Sequence, residues 1–277
     1  MRNTRLEIRL LSGAGGAEIS GVDVALDLDD ETIGEIRDAL NEHCVVFFRN
    51  QELDAARHKA FARRFGEIFI HPNYVGMGDD PEIVMVRREP GDTGYVGEDW
   101  HADTTMWPEP PMGAILYGID VPRYGGDTMF ANQYLAYETL SKGMRTLLDG
   151  LIAVNSSANA DVSRTREDRI KEQARTAEEL ASEHPVVRTH PETGRKALYV
   201  NVAHTARFEG MTKEESAPLL NFLFQHQVRA EFTCRFQWRV GSLAFWDNRC
   251  TQHNPINDYH GHRRLLHRIT LEGDVPR

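Results

Sequence analysis

From Glu82 onward the chain is divided into short apolar runs by Gly, Pro, Asp and Asn, and this punctuation constrains the fold more than any other feature. The runs Ile83 to Arg87, Met112 to Ile119, Thr128 to Ala131, Gly150 to Val154, Pro185 to Thr189, Leu198 to Val202, Phe232 to Val240, Ser242 to Trp246 and Arg264 to Leu271 have the length and composition of strands. Pro191-Glu192-Thr193-Gly194-Arg195 is a compact hairpin signal between two of them. Upstream, Arg5 to Leu11 and Ala17 to Val24 read as strands around a Gly-rich turn. Acids at Asp29-Asp30-Glu31 open a helix carrying Ile33, Ile36, Ala39 and Leu40, and a second helix runs from about Asp54 to Phe65. A third, Thr212 to Val228, has Leu219, Leu220, Leu223 and Phe224 on one side. No repeat or linker divides the sequence, so residues 1–277 are expected to form one α+β, mainly β domain, a helix-decorated sandwich or jelly roll. The polar stretch 155–183 is expected to be an insertion, either a moving lid or simply solvated.

Composition removes several function classes. A net charge of -10 lacks the basic footprint that a phosphate backbone requires, so no nucleic-acid partner is expected. No apolar run reaches the roughly 20 residues that cross a bilayer, and Met1-Arg2-Asn3-Thr4-Arg5-Leu6-Glu7 lacks the apolar centre of a secretory signal. The expectation is a cytoplasmic protein without membrane contact. Cys44, Cys234 and Cys250 match neither a disulfide framework nor a close-spaced metal pattern and read as buried free thiols.

Against that background a few residues point to chemistry. In an extended segment His101 and Asp103 share a face while Ala102 turns away, and His253 follows 152 residues later, after Trp246-Asp247-Asn248. Two imidazoles and one carboxylate on one face are the ligand set of a non-haem Fe(II) facial triad, which leaves open positions for chemistry. Taken singly, the His-x-Asp pair also fits a surface pair, and His253 a hydrogen-bonded surface residue. Arg264, Leu266 and Arg268 lie on one face of the last long strand, the two guanidiniums about 13 Å apart. Either both arginines are exposed on an edge strand or each grips a carboxylate, because a buried guanidinium without an anion is very unfavourable.

The combination Trp100-His101-Ala102-Asp103, Gly125-Gly126-Asp127-Thr128, Trp246-Asp247-Asn248-Arg249 with His253, and Arg264-Leu265-Leu266-His267-Arg268 resembles the taurine dioxygenase and 2,4-dichlorophenoxyacetate dioxygenase family across almost the whole chain. The resemblance implies a double-stranded β-helix, a cupin-like jelly roll. It also implies iron held by His101, Asp103 and His253, with 2-oxoglutarate bound by Arg264 and the Thr128 hydroxyl. Arg268 falls where several relatives hold the anionic head of the primary substrate. The implied reaction consumes dioxygen, converts 2-oxoglutarate into succinate and carbon dioxide, and hydroxylates a small organic anion. By analogy with relatives, a homodimer or homotetramer is expected.

For the substrate pocket the resemblance implies His71, Tyr74, Gly97, Thr104 and His204. His71 and Tyr74 match positions that contact the sulfonate in taurine dioxygenase, whereas Gly97, Thr104 and His204 replace an asparagine, a valine and a phenylalanine. Met85-Val86-Arg87-Arg88-Glu89, Glu98-Asp99-Trp100-His101 and Leu198-Tyr199-Val200-Asn201 are similar to the aryloxyalkanoate dioxygenases. The sequence therefore favours hydroxylation next to a heteroatom of an aryloxyalkanoate-like anion. The alternatives are a taurine, alkylsulfonate or alkyl sulfate dioxygenase, and a non-catalytic β-barrel that binds a metal or an organic acid.

Overall fold

The structure is a computed structural model that describes residues 6–71, 76–78, 80–92, 99–159 and 180–277. Its strands are β1 (Glu7–Ser12), β2 (Gly15–Ser20), β3 (Val45–Phe48), β4 (Gly76–Met77), β5 (Asp80–Arg88), β6 (Gly113–Asp120), β7 (Thr128–Asn132), β8 (Ile152–Ser156), β9 (Ala181–Pro185), β10 (Val187–Thr189), β11 (Lys196–Leu198), β12 (Thr205–Phe208), β13 (Thr233–Phe236), β14 (Leu243–Asp247), β15 (Thr251–Pro255) and β16 (Arg264–Leu271). The α-helices among the described residues are α1 (Asp30–His43), α2 (Ala55–Arg63), α3 (Gln133–Glu138), α4 (Lys142–Leu148) and α5 (Lys213–His226).

β3 shows how the layers are built. All four of its residues are buried, because a strand covered on both faces needs apolar side chains at every position. Val46 and Phe48 pack on one side with Ile36 and Leu40 of α1 and Phe61 of α2. Val45 and Phe47 pack on the other with Phe130 of β7, Phe236 of β13 and Trp246 of β14, and the Phe47 and Phe236 rings stack at 4.1 Å. The eight-stranded sheet β1-β2-β3-β14-β6-β16-β5-β4 thus lies between a helical layer and the smaller sheet β13-β7-β15. The described strands form open sheets, mainly antiparallel, and not a closed barrel. A third cluster, with Leu148, Ala153, Phe208, Leu220 and Leu223, joins α4, α5 and the sheet β12-β8-β9.

Several sequence expectations need correction. The run from Leu198 contributes only its first residue to β11, because Asn201 caps a turn through its side chain, which accepts from the His204 amide at 2.9 Å. The run from Phe232 ends at Phe236, and beyond it the Trp238 indole turns inward to donate to the Thr128 hydroxyl. Helix α3 starts directly at the end of β7 because Asn132 doubles as N-cap, accepting from the amides of Tyr134 and Leu135. The ends of the polar insertion are regular structure: 155–156 complete β8 and 181–183 belong to β9, paired Asn155 with Ser182 and Val154 with Glu183. Backbone pairing satisfies those residues whatever their side-chain polarity. Residues 160–179, and with them the question of a lid, lie outside the described residues.

His58 in α2 is buried beneath the eight-stranded sheet, its ring 6.0 Å from that of Tyr117, with Nε2 lacking a partner. Burial, with repulsion from His267, pushes its pKa down to about 3. The unfolded chain titrates this group near 6.5, so folding stability from His58 is intact above that pH and is lost as pH falls towards 3, by up to about 1.4 kcal/mol per pH unit. Denaturant titrations at several pH values are expected to give a flatter acid limb for His58→Leu than for the parent. Equal slopes would assign the acid sensitivity elsewhere.

Candidate active site

The turn Asn248-Arg249-Cys250 links β14 to β15 at the edge of the space between the two sheets. His253 on β15 forms a two-way backbone bridge with His101, its amide 2.8 Å from the His101 carbonyl and its carbonyl 3.1 Å from the His101 amide. This pairing closes the long sequence separation. His101 and Asp103 do not sit in a continuous strand as expected: beyond the bridge the chain turns, with Thr104 at φ 44°. The three side chains nevertheless converge, with ligand atoms all within 4.8 Å of one another. Asp103 Oδ1 is 3.9 Å from His101 Nε2 and 3.7 Å from His253 Nε2, too far for hydrogen bonds and close enough for one ion to reach all three.

The chemistry of these donors fits a divalent metal. His101 Nδ1 lies 2.7 Å from the Asp99 carbonyl, which accepts only if that nitrogen carries the proton, so Nε2 is the nitrogen left to face the centre. Burial, then repulsion from His101 and Arg268, outweighs Asp103 and holds His253 well below the ordinary histidine range, as a neutral imidazole. Burial would raise the Asp103 carboxyl, but the charge and hydrogen bond of the Arg268 guanidinium hold it far below the carboxylate range. The set is therefore two imidazoles and one carboxylate, the combination that suits non-haem Fe(II).

Arg268 and Arg264 share the inner face of β16 with Leu266, whereas Ile269 and Leu271 pack towards the helices. Arg268 Nη2 lies 2.6 Å from Asp103 Oδ2, with the guanidinium 5.5 Å from the Trp246 ring. Arg264 is 5% exposed and has no carboxylate at salt-bridge distance among the described residues, and its Nε is without a partner. Its guanidinium lies 5.7 Å from the rings of both Trp238 and Tyr259. Burial lowers its pKa, against Tyr259 and Asp127, but an arginine remains charged. Trp238 also donates to Thr128 Oγ1 at 2.9 Å, which leaves that hydroxyl free to donate its own proton. Arg264 and Thr128 thus flank the same indole.

Trp238, Tyr259 and Gly126 had no assigned role in the sequence reading. Gly126 has φ 69°, and a Cβ there would meet Tyr259 at 3.2 Å and Arg264 Cδ and Nε at 3.3 Å. Gly126→Ala is expected to cost about 1–3 kcal/mol of stability and to displace Arg264. Chemical denaturation together with 2-oxoglutarate titration checks both effects, and parent-like values in each would show that the passage past Gly126 is not tight.

The remaining predicted residues divide. The His204 ring lies 6.5 Å from that of His101, with its Nδ1 3.0 Å from Thr105 Oγ1. Thr104 follows Asp103 directly and keeps a buried hydroxyl without a partner. His71 packs edge-on to Phe69 and Trp107, with ring centroids at 6.0 and 6.3 Å. Tyr74 and Gly97 lie outside the described residues. A second group, His190, Asp247 and Cys250, also brings ligand atoms together. Here His190 Nε2 and Arg249 Nη2 approach Asp247 Oδ2 at 3.0 and 2.6 Å, and Arg249 Nε reaches Oδ1 at 2.9 Å. With its carboxylate filled by a guanidinium, this cluster is a buried ion-pair network that braces the β14–β15 turn. Cys44, Cys234 and Cys250 are buried free thiols, as expected.

A family profile described as "Taurine catabolism dioxygenase TauD, TfdA family" matches residues 7–270. An alkylsulfatase of Acinetobacter baylyi is 37% identical, covering 98% of this chain and 86% of that protein. An alpha-ketoglutarate-dependent sulfate ester dioxygenase of Pseudomonas putida is 36% identical, covering 98% and 91%. An alpha-ketoglutarate-dependent 2,4-dichlorophenoxyacetate dioxygenase of Cupriavidus pinatubonensis is 30% identical, covering 94% and 95%. The crystal structure of a taurine dioxygenase from Burkholderia xenovorans superposes with a TM-score of 0.85 at 39% identity, over 99% of this chain and 91% of that one. With the profile spanning nearly its full length, the chain belongs to the TauD, TfdA family of dioxygenases, which use Fe(II) and 2-oxoglutarate.

Proposed function

We propose that this protein is an Fe(II)- and 2-oxoglutarate-dependent dioxygenase that hydroxylates a small organic anion at a carbon bonded to a heteroatom, and that an alkyl sulfate ester is its substrate class. The observation that carries the cosubstrate reading is the buried Arg264, which has no carboxylate partner among the described residues. A charge removed from water costs several kcal/mol unless an anion joins it, and the distal carboxylate of 2-oxoglutarate is such an anion. In this reading the two packed sheets are the halves of a double-stranded β-helix. His101, Asp103 and His253 hold the metal between them, and the Thr128 hydroxyl supplements Arg264.

When bound, the ion and 2-oxoglutarate supply the oxidising chemistry, in which dioxygen is consumed, 2-oxoglutarate becomes succinate and carbon dioxide, and a substrate C–H becomes C–OH. The chain's own residues hold the participants. In this reading Arg268, 22% exposed at its side chain, meets the anionic head of the substrate, and Thr104, His204 and His71 contribute to the same pocket. On an alkyl sulfate the hydroxylated carbon also carries the ester oxygen. That C–O bond then breaks, sulfate leaves with the bonding pair, the hydroxyl proton is released and an aldehyde remains.

The sulfate ester reading is supported by the 36–37% identity to the Acinetobacter and Pseudomonas relatives, against 30% to the enzyme named for 2,4-dichlorophenoxyacetate. An aryloxyalkanoate is the second reading, supported by the local similarity around Met85 to Glu89 and by Gly97, where no side chain takes up space. Hexyl sulfate, 2,4-dichlorophenoxyacetate and taurine, each supplied with Fe(II), 2-oxoglutarate and dioxygen, separate these readings. Succinate and aldehyde in step with sulfate release from hexyl sulfate is the expected result. Phenol release in preference would favour the aryloxyalkanoate, and succinate from none of them, even uncoupled, would leave a binding protein.

A further inference from the structure

We propose that Asn248 is a positioning residue that holds Asp103 as a one-oxygen metal ligand, an inference that rests on the metal-binding reading of His101, Asp103 and His253. Asn248 is 1% exposed, and its side chain is fixed at both ends. Its Oδ1 accepts from the Trp246 indole at 2.9 Å and from the Asp103 amide at 3.3 Å. Both of these groups can only donate, so the oxygen must face them and the amide nitrogen must face the other way. That nitrogen donates to Asp103 Oδ2 at 2.9 Å. One side chain therefore grips the backbone and the carboxylate of the same residue.

The two oxygens of Asp103 are left with different surroundings. Oδ2 is occupied by Asn248 Nδ2 and by Arg268 Nη2 at 2.6 Å. Oδ1 alone faces the two imidazoles. A carboxylate held in this way offers a metal one oxygen, and it cannot rotate to offer the second without breaking two charge-assisted hydrogen bonds in a buried site. The turn that carries Asn248 is itself fixed: its amide donates to the Met112 carbonyl at 2.8 Å, and its neighbours Asp247 and Arg249 belong to the ion-pair network with His190 and Glu192. The strain at Thr104, at φ 44°, falls on the residue immediately after the gripped carboxylate.

Manganese(II) binding, followed by the loss of the free-ion electron paramagnetic resonance signal, tests the proposal without turnover. Asn248→Ala is expected to weaken Mn(II) binding by about 10–100-fold, the scale of a lost partner behind a metal ligand. Leu223→Ala, in the distant third cluster, serves as a variant of reduced stability and is expected to bind Mn(II) like the parent. Asn248→Ala with parent-like Mn(II) affinity overturns the positioning role, as does an equal loss in Leu223→Ala, which would make the effect one of general stability. A parent protein that binds no Mn(II) would overturn the metal reading itself, and the positioning role with it.

Discussion

Arg264→Ala is expected to raise the 2-oxoglutarate concentration needed for half-maximal turnover by about two to three orders of magnitude, while metal affinity stays near that of the parent. Truncating one partner of a buried charge pair costs about 2–5 kcal/mol, and about 1.4 kcal/mol corresponds to a factor of ten. Arg264 belongs in that range because it is 5% exposed and is flanked by the Trp238 and Tyr259 rings, with no carboxylate paired to it among the described residues. Arg264→Lys should recover only part of the loss, since an ammonium restores the charge but not the two-pronged donor geometry. Arg268→Ala should act differently, raising the KM for the primary substrate and, through the freed Asp103 Oδ2, weakening metal binding, with the 2-oxoglutarate requirement near that of the parent. Initial rates with each reactant varied at saturating levels of the other separate the two. If both variants shifted only the 2-oxoglutarate requirement, the division of labour along β16 would be wrong.

The shared face of the two arginines was legible in the sequence because strand periodicity is robust. Arg264, Leu266 and Arg268 share a face whatever the details of the sheet, and Leu266 does pack with Phe130 and Trp246 on the inner side. Strand alternation similarly located most of the large sheet, and acids followed by helically spaced apolar residues located α1. What periodicity could not supply was any feature decided by a single side chain meeting distant backbone. The end of β13 depends on Trp238 finding Thr128, the start of α3 on Asn132 acting as a cap, and the turn after Asp103 on the grip of Asn248. Short polar strands such as β9 were also hidden, since their pairing is carried by backbone rather than by an apolar pattern. The candidate metal site lies between these cases. Its residue types were legible, whereas their convergence depends on the bridge between His101 and His253, a contact across 152 residues that no local pattern encodes.

Asp103→Ala is expected to be the most damaging single change, weakening metal binding by about a thousandfold or more and leaving turnover at background. Breaking a buried ion pair by removing one partner costs about 3–5 kcal/mol, and here the partner left behind is a cation facing a cation site. In the parent the carboxylate balances the Arg268 guanidinium 2.6 Å away. Without it, two imidazoles and a guanidinium line the centre, and a divalent ion is repelled as well as short of a ligand. Replacing His253 with alanine removes a ligand but leaves that charge balance intact, so its loss should be smaller, about one to two orders of magnitude. Mn(II) titrations of both variants check the ranking, and stoichiometric tight binding by Asp103→Ala would refute the site. The charge argument makes one further demand. Adding Arg268→Ala to Asp103→Ala should recover part of the lost affinity, because it removes the repelling guanidinium. A double variant that binds Mn(II) more weakly than Asp103→Ala alone would show that Arg268 supports the ion by some route other than its contact with Asp103.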